Sequence, residues 1–576
     1  MEKSVALESV GNDHLNLSKV TTPQTSVQGN KDQELPSHGE EKAMKEPDLE
    51  QEQVYPEGLK LAIIVTALCL SVFLVALDAT IIATAIPKIT TQFNSLNDVG
   101  WYASAYLFLT CSLQLMFGKF YSIYNIKILF ILAILIFEIG SLVCATAPSS
   151  PALIVGRAIA GLGAAGIFSG ALTIIAHSLP IGKRPICTSL VAAMYGPASI
   201  AGPLLGGVFT DHVTWRWCFY INLPIGALVA ASILLFLTSP PQQQPSQPLS
   251  YLQIFLSIDP VSLITLLPSV ISLLLALQLG GSTFPYSNPR IIVLFLLFGI
   301  FGLFFIMNQF RLGPLGTLPP YILRNKNILG AALYSFCFGA SYYTILYFLP
   351  IYFQAIKGVS ALQSGIDTFA MLVGNSIMTL LSGYLVSKYG YYTPFMYAAV
   401  VMMAIGAGLF TTLNAASGTA EWVVYQLLYG FGAGLGFQQP YVVAQTILPL
   451  NDIAIGCATM LFVSLLGGTI TVSVANAVFK TKLVNNLLRI VPHIDPQTVV
   501  AVGATGLKKI AAQGSEDYAG VVFSYNNALM KTFQIALIMI CIGGLGAVFV
   551  EWNSVKSGKG KGKREKKKEE VDFNPA

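Results

Sequence analysis

Three ionisable residues stand where hydrocarbon is expected. Asp78 lies in "LDATIIATAIP" (77–87), Arg157 near the start of a second apolar run, and Glu138 deep in "ILFILAILIFEIGSLV" (128–143). A charge inside a bilayer costs at least about 2.5–3.5 kcal/mol, so such groups are rare and usually functional. A carboxylate there is kept neutral by desolvation or ionised by a nearby cation, whichever dominates. One acid with two environments is what proton coupling requires. Asp78 is the first candidate, Arg157 its competing cation, and Glu138 a second acid. A structural role stays open for each: Asp78 bonded to Thr80 or to backbone, Arg157 in a permanent pair, Glu138 as a helix-packing partner. Asp259 and Asp367 fall at span starts, where helix capping is the simpler role.

A second feature is conformational. The stretch "GPASIAGPLLGG" (196–207) carries four Gly and two Pro inside an apolar run. Gly202 and Gly206 are four apart, as are Pro203 and Gly207, and small-xxx-small spacing lets helices approach closely. Pro197 and Pro203 predict a bend and freed carbonyls. The stretch therefore reads as a tight, bent contact at which parts can rock, or as static packing. Gly161 and Gly163 in "RAIAGLG" (157–163) belong with it. Polar residues on apolar spans (Gln114, Asn222, Asn375, Gln426, Gln438 and Gln439) line a substrate cavity or bond helix to helix. Tyr342, Tyr343 and Tyr347 can stack on an aromatic substrate or pack.

The elements that must hold these residues are membrane helices. Of 576 residues, 54% are hydrophobic and 11% charged, against about a quarter charged in soluble domains. Charge gathers at the ends: residues 1–58 hold 12 acids and 5 bases, and residues 551–576 hold 5 acids and 8 bases. About 20 apolar residues cross a bilayer. That predicts fourteen spans, near 59–85, 100–120, 127–147, 152–178, 187–209, 216–238, 259–280, 290–311, 329–353, 363–387, 392–413, 420–445, 455–480 and 529–550. An even count puts both ends on one side. Short loops on that side carry Lys119, Lys127, Lys183, Arg184, Arg311, Arg324, Lys326 and Lys388; those opposite carry Lys88, Arg216, Arg290 and Lys357. The bias favours cytoplasmic termini. The eight Cys show no C-x-x-C spacing, so no metal, haem or disulfide framework is expected. The polar N-terminus predicts no cleavable signal.

Domain organisation follows. Residues 1–58 read as a disordered acidic tail and 59–238 as a six-helix half. Residues 239–258 are a Pro-rich linker, and 259–311 two inserted spans. Residues 329–550 form a second six-helix half with a long outer loop at 481–528, and 551–576 a basic tail. That basic tail can sit on anionic lipid or stay solvated. "GKFYSIYNIK" from Gly118 and "GYLVSKYGYY" from Gly383 repeat at an offset of 265; "RAIAGLG" and "QLLYGFG" (426–432) at 269; Pro87 and Pro350 at 263. Duplicated halves with a site at their interface are a transporter architecture. No G-x-x-x-x-G-K-[ST] occurs, so no nucleotide site is visible, and nothing in the charge pattern asks for nucleic acid.

The motifs "LDATIIATAIP", "GRAIAGLGAAG" (156–166), "GPASIAGPLLGG" and "WRWCFYINLPIG" (215–226) resemble, in order, those of the fourteen-span drug:proton antiporters of the major facilitator superfamily. "GKFYSIYNIK" and "EWNSVK" (551–556) look most like the fungal branch that exports mycotoxins and other secondary metabolites. The resemblance covers about residues 58–556. It implies an all-α major facilitator fold and no enzyme activity. It also implies proton-driven efflux of small, often hydrophobic molecules, with no cofactor beyond the coupling proton. By resemblance Asp78 is the first-span acid, Arg157 the fourth-span arginine, and "GPASIAGPLLGG" the antiporter motif. One departure matters: after span 2, Ser122 stands where the family has Asp, and Asn125 and Ile126 where it has Gly and Arg, so that charge relay is missing. The expected address is the plasma membrane, with the vacuolar membrane open. The alternative activity is uptake or facilitated transport of a solute such as a sugar or iron chelate.

Overall fold

The computed structural model describes residues 55–95, 98–238, 259–281, 284–510 and 515–556. Most of the acidic tail, the 239–258 linker and the basic end beyond residue 556 lie outside the described residues, with the expectations placed on them.

Long apolar runs with almost no charge have one way to satisfy their backbone in lipid, which is to bond it internally as helix. The described residues accordingly form α1 (Gly58–Phe93), α2 (Val99–Ile123), α3 (Ile126–Thr146), α4 (Ser150–Ser178), α5 (Arg184–Ala193), α6 (Tyr195–His212), α7 (Trp217–Tyr220) and α8 (Asn222–Phe236). After the linker come α9 (Pro260–Leu279), α10 (Pro289–Leu312), α11 (Pro320–Arg324), α12 (Lys326–Ala355), α13 (Ala361–Asp367), α14 (Phe369–Tyr389), α15 (Thr393–Phe410), α16 (Thr419–Gly436), α17 (Gln439–Ile447), α18 (Ile453–Ile490), α19 (Pro496–Val502) and α20 (Glu516–Phe549). Among the described residues, twelve helical stretches are long and apolar enough to cross a membrane by length and composition. The other two expected spans fall on α2 and on the α16–α17 pair, so a helical column stands at each of the fourteen positions.

Starts and stops follow local chemistry. Asn125 Oδ1 accepts from the Lys127 and Ile128 N–H groups at 3.1 and 3.3 Å and caps α3. Asp259 accepts from the Ser262 N–H at 3.1 Å and caps α9, as its position predicts. Asp367 does otherwise: its carboxylate accepts from Gln363 Nε2 within α13, and α14 begins without a side-chain cap. The fifth column breaks at Met194, between α5 and α6, while Pro203 sits inside α6 without interrupting it. The outer segment 481–528 is shorter as a loop than its composition suggests. Helix α18 continues to Ile490 and α20 starts at Glu516 because the two keep packing. Phe479 meets Tyr525 at 5.4 Å, and Leu483, Leu487 and Val521 are buried beside them.

The repeated motifs occupy matching contacts. Gly161 lies on the Tyr106 backbone of α2 and Gly163 on Phe137 of α3; Gly430 lies on Met371 of α14 and Gly432 on Met402 and Met403 of α15. In both halves, the first glycine of the pair seats the fourth helix on the second, and the next glycine seats it on the third. Gly118 and Gly383 face outward from their halves. A Cβ on Gly118 would collide with Ala458 of α18, and one on Gly383 with Ser189 of α5. These two glycines bring the halves together.

Both described ends reach one face, here the terminal face. Tyr55 interacts with Arg184. The strand-like segment 551–556 runs past Gly390, whose carbonyl accepts from the Val555 N–H at 2.8 Å. That face is closed. Arg184 donates to the Leu179 and Gln445 carbonyls at 3.0 and 2.9 Å, and Gln445 Nε2 donates to the Leu172 carbonyl at 3.3 Å. The Ile186 N–H donates to Ser387 Oγ at 3.2 Å. Above this seam Phe168 and Tyr195 of the first half meet Tyr441 and Phe437 of the second, with ring centroids 5.9 and 6.1 Å apart.

Candidate functional site

Helix α1 places Asp78 toward α4, and α4 places Arg157 toward α1. Arg157 Nη1 donates to Asp78 Oδ2 at 2.6 Å, with side chains 1% and 0% exposed. The rest of the guanidinium is also held: Nε donates to the Tyr102 carbonyl at 2.9 Å, and the cation lies 4.4 Å from the Tyr106 ring centroid and 6.0 Å from that of Phe219. The second carboxylate oxygen accepts from Asn222 Nδ2 at 3.3 Å, and the same amide donates to Ser141 Oγ at 3.1 Å. Five helical columns thus converge on one acid. Thr80, the alternative partner in sequence, bonds the Ala76, Leu77 and Ala198 carbonyls instead.

Glu138 sits beside this set without joining it. Its carboxyl is buried against Gly226 of α8, and neither oxygen has a hydrogen-bond partner.

The glycines of α6 divide. Gly202 packs on Thr80 and Gly206 on Ile81 and Thr84 of α1, so one small face is a close helix contact inside the first half. The paired face does not form, since Gly207 has open space where a Cβ would stand. Gly196, two residues after the break, packs on Ser376 of α14 across the halves.

The polar residues are mostly engaged between helices. Gln114 Nε2 donates to the Ala165 carbonyl at 3.1 Å, Gln426 Nε2 to the Asp367 carbonyl at 2.8 Å, and Gln438 Nε2 to Ser382 Oγ at 2.8 Å. Gln439 Nε2 donates to the Leu435 carbonyl of the preceding helix end at 2.7 Å. Asn222 belongs to the ion-pair site. Asn375 is buried with its side-chain oxygen unpartnered. Tyr342 packs against Phe338 and Phe437, and Tyr347 is 52% exposed. Sequence reasoning passed over Ser141, Tyr102, Tyr106 and Phe219. The first is recoverable, since Ser141 is one turn from Glu138 on α3. The others depend on which helices meet.

This geometry defines a class: a multi-pass membrane protein of two repeated halves, with a sealed acid–base pair in one of them. The comparisons agree. The model of the Major Facilitator Superfamily matches residues 68–472. The chain is 51% identical over 499 residues to the efflux pump hmp6 of Hypomyces subiculosus, covering 86% of this chain and 88% of that one. It is 49% identical to the MFS-type efflux pump MFS1 of Trichophyton rubrum, over 87% of this chain and 93% of the other. Among solved structures, the proton:xylose symporter XylE superposes with a TM-score of 0.54 at 16% identity, covering 86% of this chain and 97% of that one; this likeness concerns the fold. The chain belongs to the major facilitator superfamily. It is a transporter, not an enzyme, and its near relatives are fungal efflux pumps.

Proposed function

We propose that the protein exports a small, often hydrophobic organic molecule in exchange for protons, by alternating access between its halves, from a plasma membrane with both termini cytoplasmic. The Asp78–Arg157 pair carries the proposal. Breaking a buried pair by removing one charge costs about 3–5 kcal/mol, because the other is left uncompensated. Protonating Asp78 does the same chemically: the carboxylate loses its charge, and Arg157 keeps only the Tyr102 carbonyl and two ring faces. One proton therefore changes how α1, α4 and the Asn222 helix are tied. A potential of 100 mV adds about 2.3 kcal/mol per charge moved across it, which is comparable in size. Deprotonation toward the cytoplasm accompanies substrate capture, and reprotonation from outside accompanies release.

The efflux direction is supported by the relatives, which are named efflux pumps. The cytoplasmic assignment of the terminal face is supported by its excess of Lys and Arg. The test uses the full chain in vesicles with one imposed pH gradient and a panel of hydrophobic compounds, with and without an uncoupler. Gradient-driven uptake that disappears with uncoupler and in Asp78→Asn is expected. Flux indifferent to the gradient, or unchanged in Asp78→Asn, would overturn the proposal.

A further inference from the structure

Glu138 is an acid the ion pair does not use, in a place built for its head group. A Cβ on Gly226 would collide with Oε1, so the glycine makes the room the carboxyl occupies. Both carboxyl oxygens are buried and neither meets a donor. A carboxylate stripped of water and of hydrogen bonds is far more costly than the neutral acid, so this environment selects the protonated form. Of the helices packed against α3, α8 carries no titratable side chain. Helix α4 brings Arg157, α7 brings Cys218 and Tyr220, and α2 brings Tyr102 and Tyr106 at this depth. Asp78 on α1 is the neighbouring acid, held by Asn222, which stands four residues before Gly226 on α8.

Its position along the membrane is directional. Helix α3 runs away from the terminal face and α8 runs toward it. Glu138 precedes Ser141 by three residues, and Gly226 follows Asn222 by four. The Glu138–Gly226 contact therefore lies one turn, about 5 Å, nearer the terminal face than the Ser141–Asn222 bond, which itself leads to Asp78.

We infer that Glu138 is a second proton-carrying group, neutral while Asp78 is ionised against Arg157, and that it takes the proton Asp78 gives up on its way to the terminal face. In that step the O–H bond on Asp78 breaks, one forms on the Glu138 carboxylate, and the new Asp78 charge is matched by Arg157. The inference deepens the reading of Asp78 as the coupling acid, and it rests on that reading for its part in transport.

The test is infrared spectroscopy of the full chain in phosphatidylcholine vesicles, titrated with pH, with protons as the only ligand. A carbonyl stretch of a protonated carboxylic acid is expected at neutral pH in the wild type. It should disappear in Glu138→Gln and shift in Gly226→Ala, which crowds the carboxyl. In Asp78→Asn the band should fade at lower pH than in the wild type, because Arg157 then has no anion but Glu138 to favour. The amide bands of the same spectra report whether each variant keeps its helices. No protonated-acid band in the wild type, or one that survives Glu138→Gln, overturns the neutral Glu138. A fading pH unmoved by Asp78→Asn overturns its link to Asp78. Failure of gradient-driven transport would instead overturn the proposed function and leave these spectra as they are.

Discussion

Arg157 is held by one carboxylate, one backbone carbonyl and two aromatic faces, and only the first of these carries charge. Replacing Asp78 alone should therefore cost more than replacing the pair, since paired buried ions can often give way to apolar residues with little loss. Asp78→Asn should lower the unfolding temperature in detergent, and Asp78→Asn with Arg157→Met should recover much of the loss. Both variants should lack gradient-driven transport. A double variant no more stable than the single one would mean that Arg157 contributes mainly through its other contacts. At the terminal face, Glu551 receives hydrogen bonds from Lys326 and Asn327 that hold its carboxyl below its ordinary value. A depressed acid stabilises the fold above the unfolded-state pKa, about 4.3 for Glu, and that contribution is lost as pH falls through the folded value. Trp552 packs near Tyr391 and Tyr397 on the same segment. In a variant keeping only Trp552, its fluorescence should change in acid below the ordinary Glu range, and Glu551→Gln should show the acid signal at neutral pH.

At the scale of helices, one Gly/Pro-rich stretch has two fates. Gly202 and Gly206 let α6 touch α1, whereas Gly207 faces open space. Gly206→Val should reduce the yield of folded protein measured by size-exclusion chromatography, because Ile81 and Thr84 leave no room. Gly207→Ala should leave that yield intact and raise the unfolding temperature slightly, since Ala exceeds Gly in helix propensity by about 1 kcal/mol. The four-residue spacing is identical for Gly202/Gly206 and Pro203/Gly207. Sequence therefore shows two small faces, and only the position of α1 tells which is covered. The helix is interrupted at Met194 and at neither proline.

Across the whole molecule, the halves are joined at the terminal face by Gly118 on α18 and Gly383 on α5, with Arg184 and Gln445 sealing the seam. Alternating access requires that seam to part. A wedge at Gly383→Trp should open it, and Cys457, fully buried near Arg184, is a native reporter. Mass spectrometry after treatment with a thiol reagent should find Cys457 unlabelled in the wild type and labelled in Gly383→Trp; equal labelling would mean that the seam is not the barrier. Much of this design was legible in the chain. Apolar length and scarce charge dictate membrane helices, because lipid offers the backbone no partner. Repeats at nearly constant offset mark two halves, and the rarity of buried charge singles out Asp78, Arg157 and Glu138. What sequence could not decide is who meets whom. That Asp78 pairs with Arg157 while Glu138 stays unpartnered depends on contacts between residues 79 apart in the first case and on one glycine of another helix in the second. That Asn222 serves the acid, and that most of the buried glutamines bond neighbouring helices, follows from packing. Side-chain partners on separate helices are set by crossing geometry, which depends on all the packed surfaces at once.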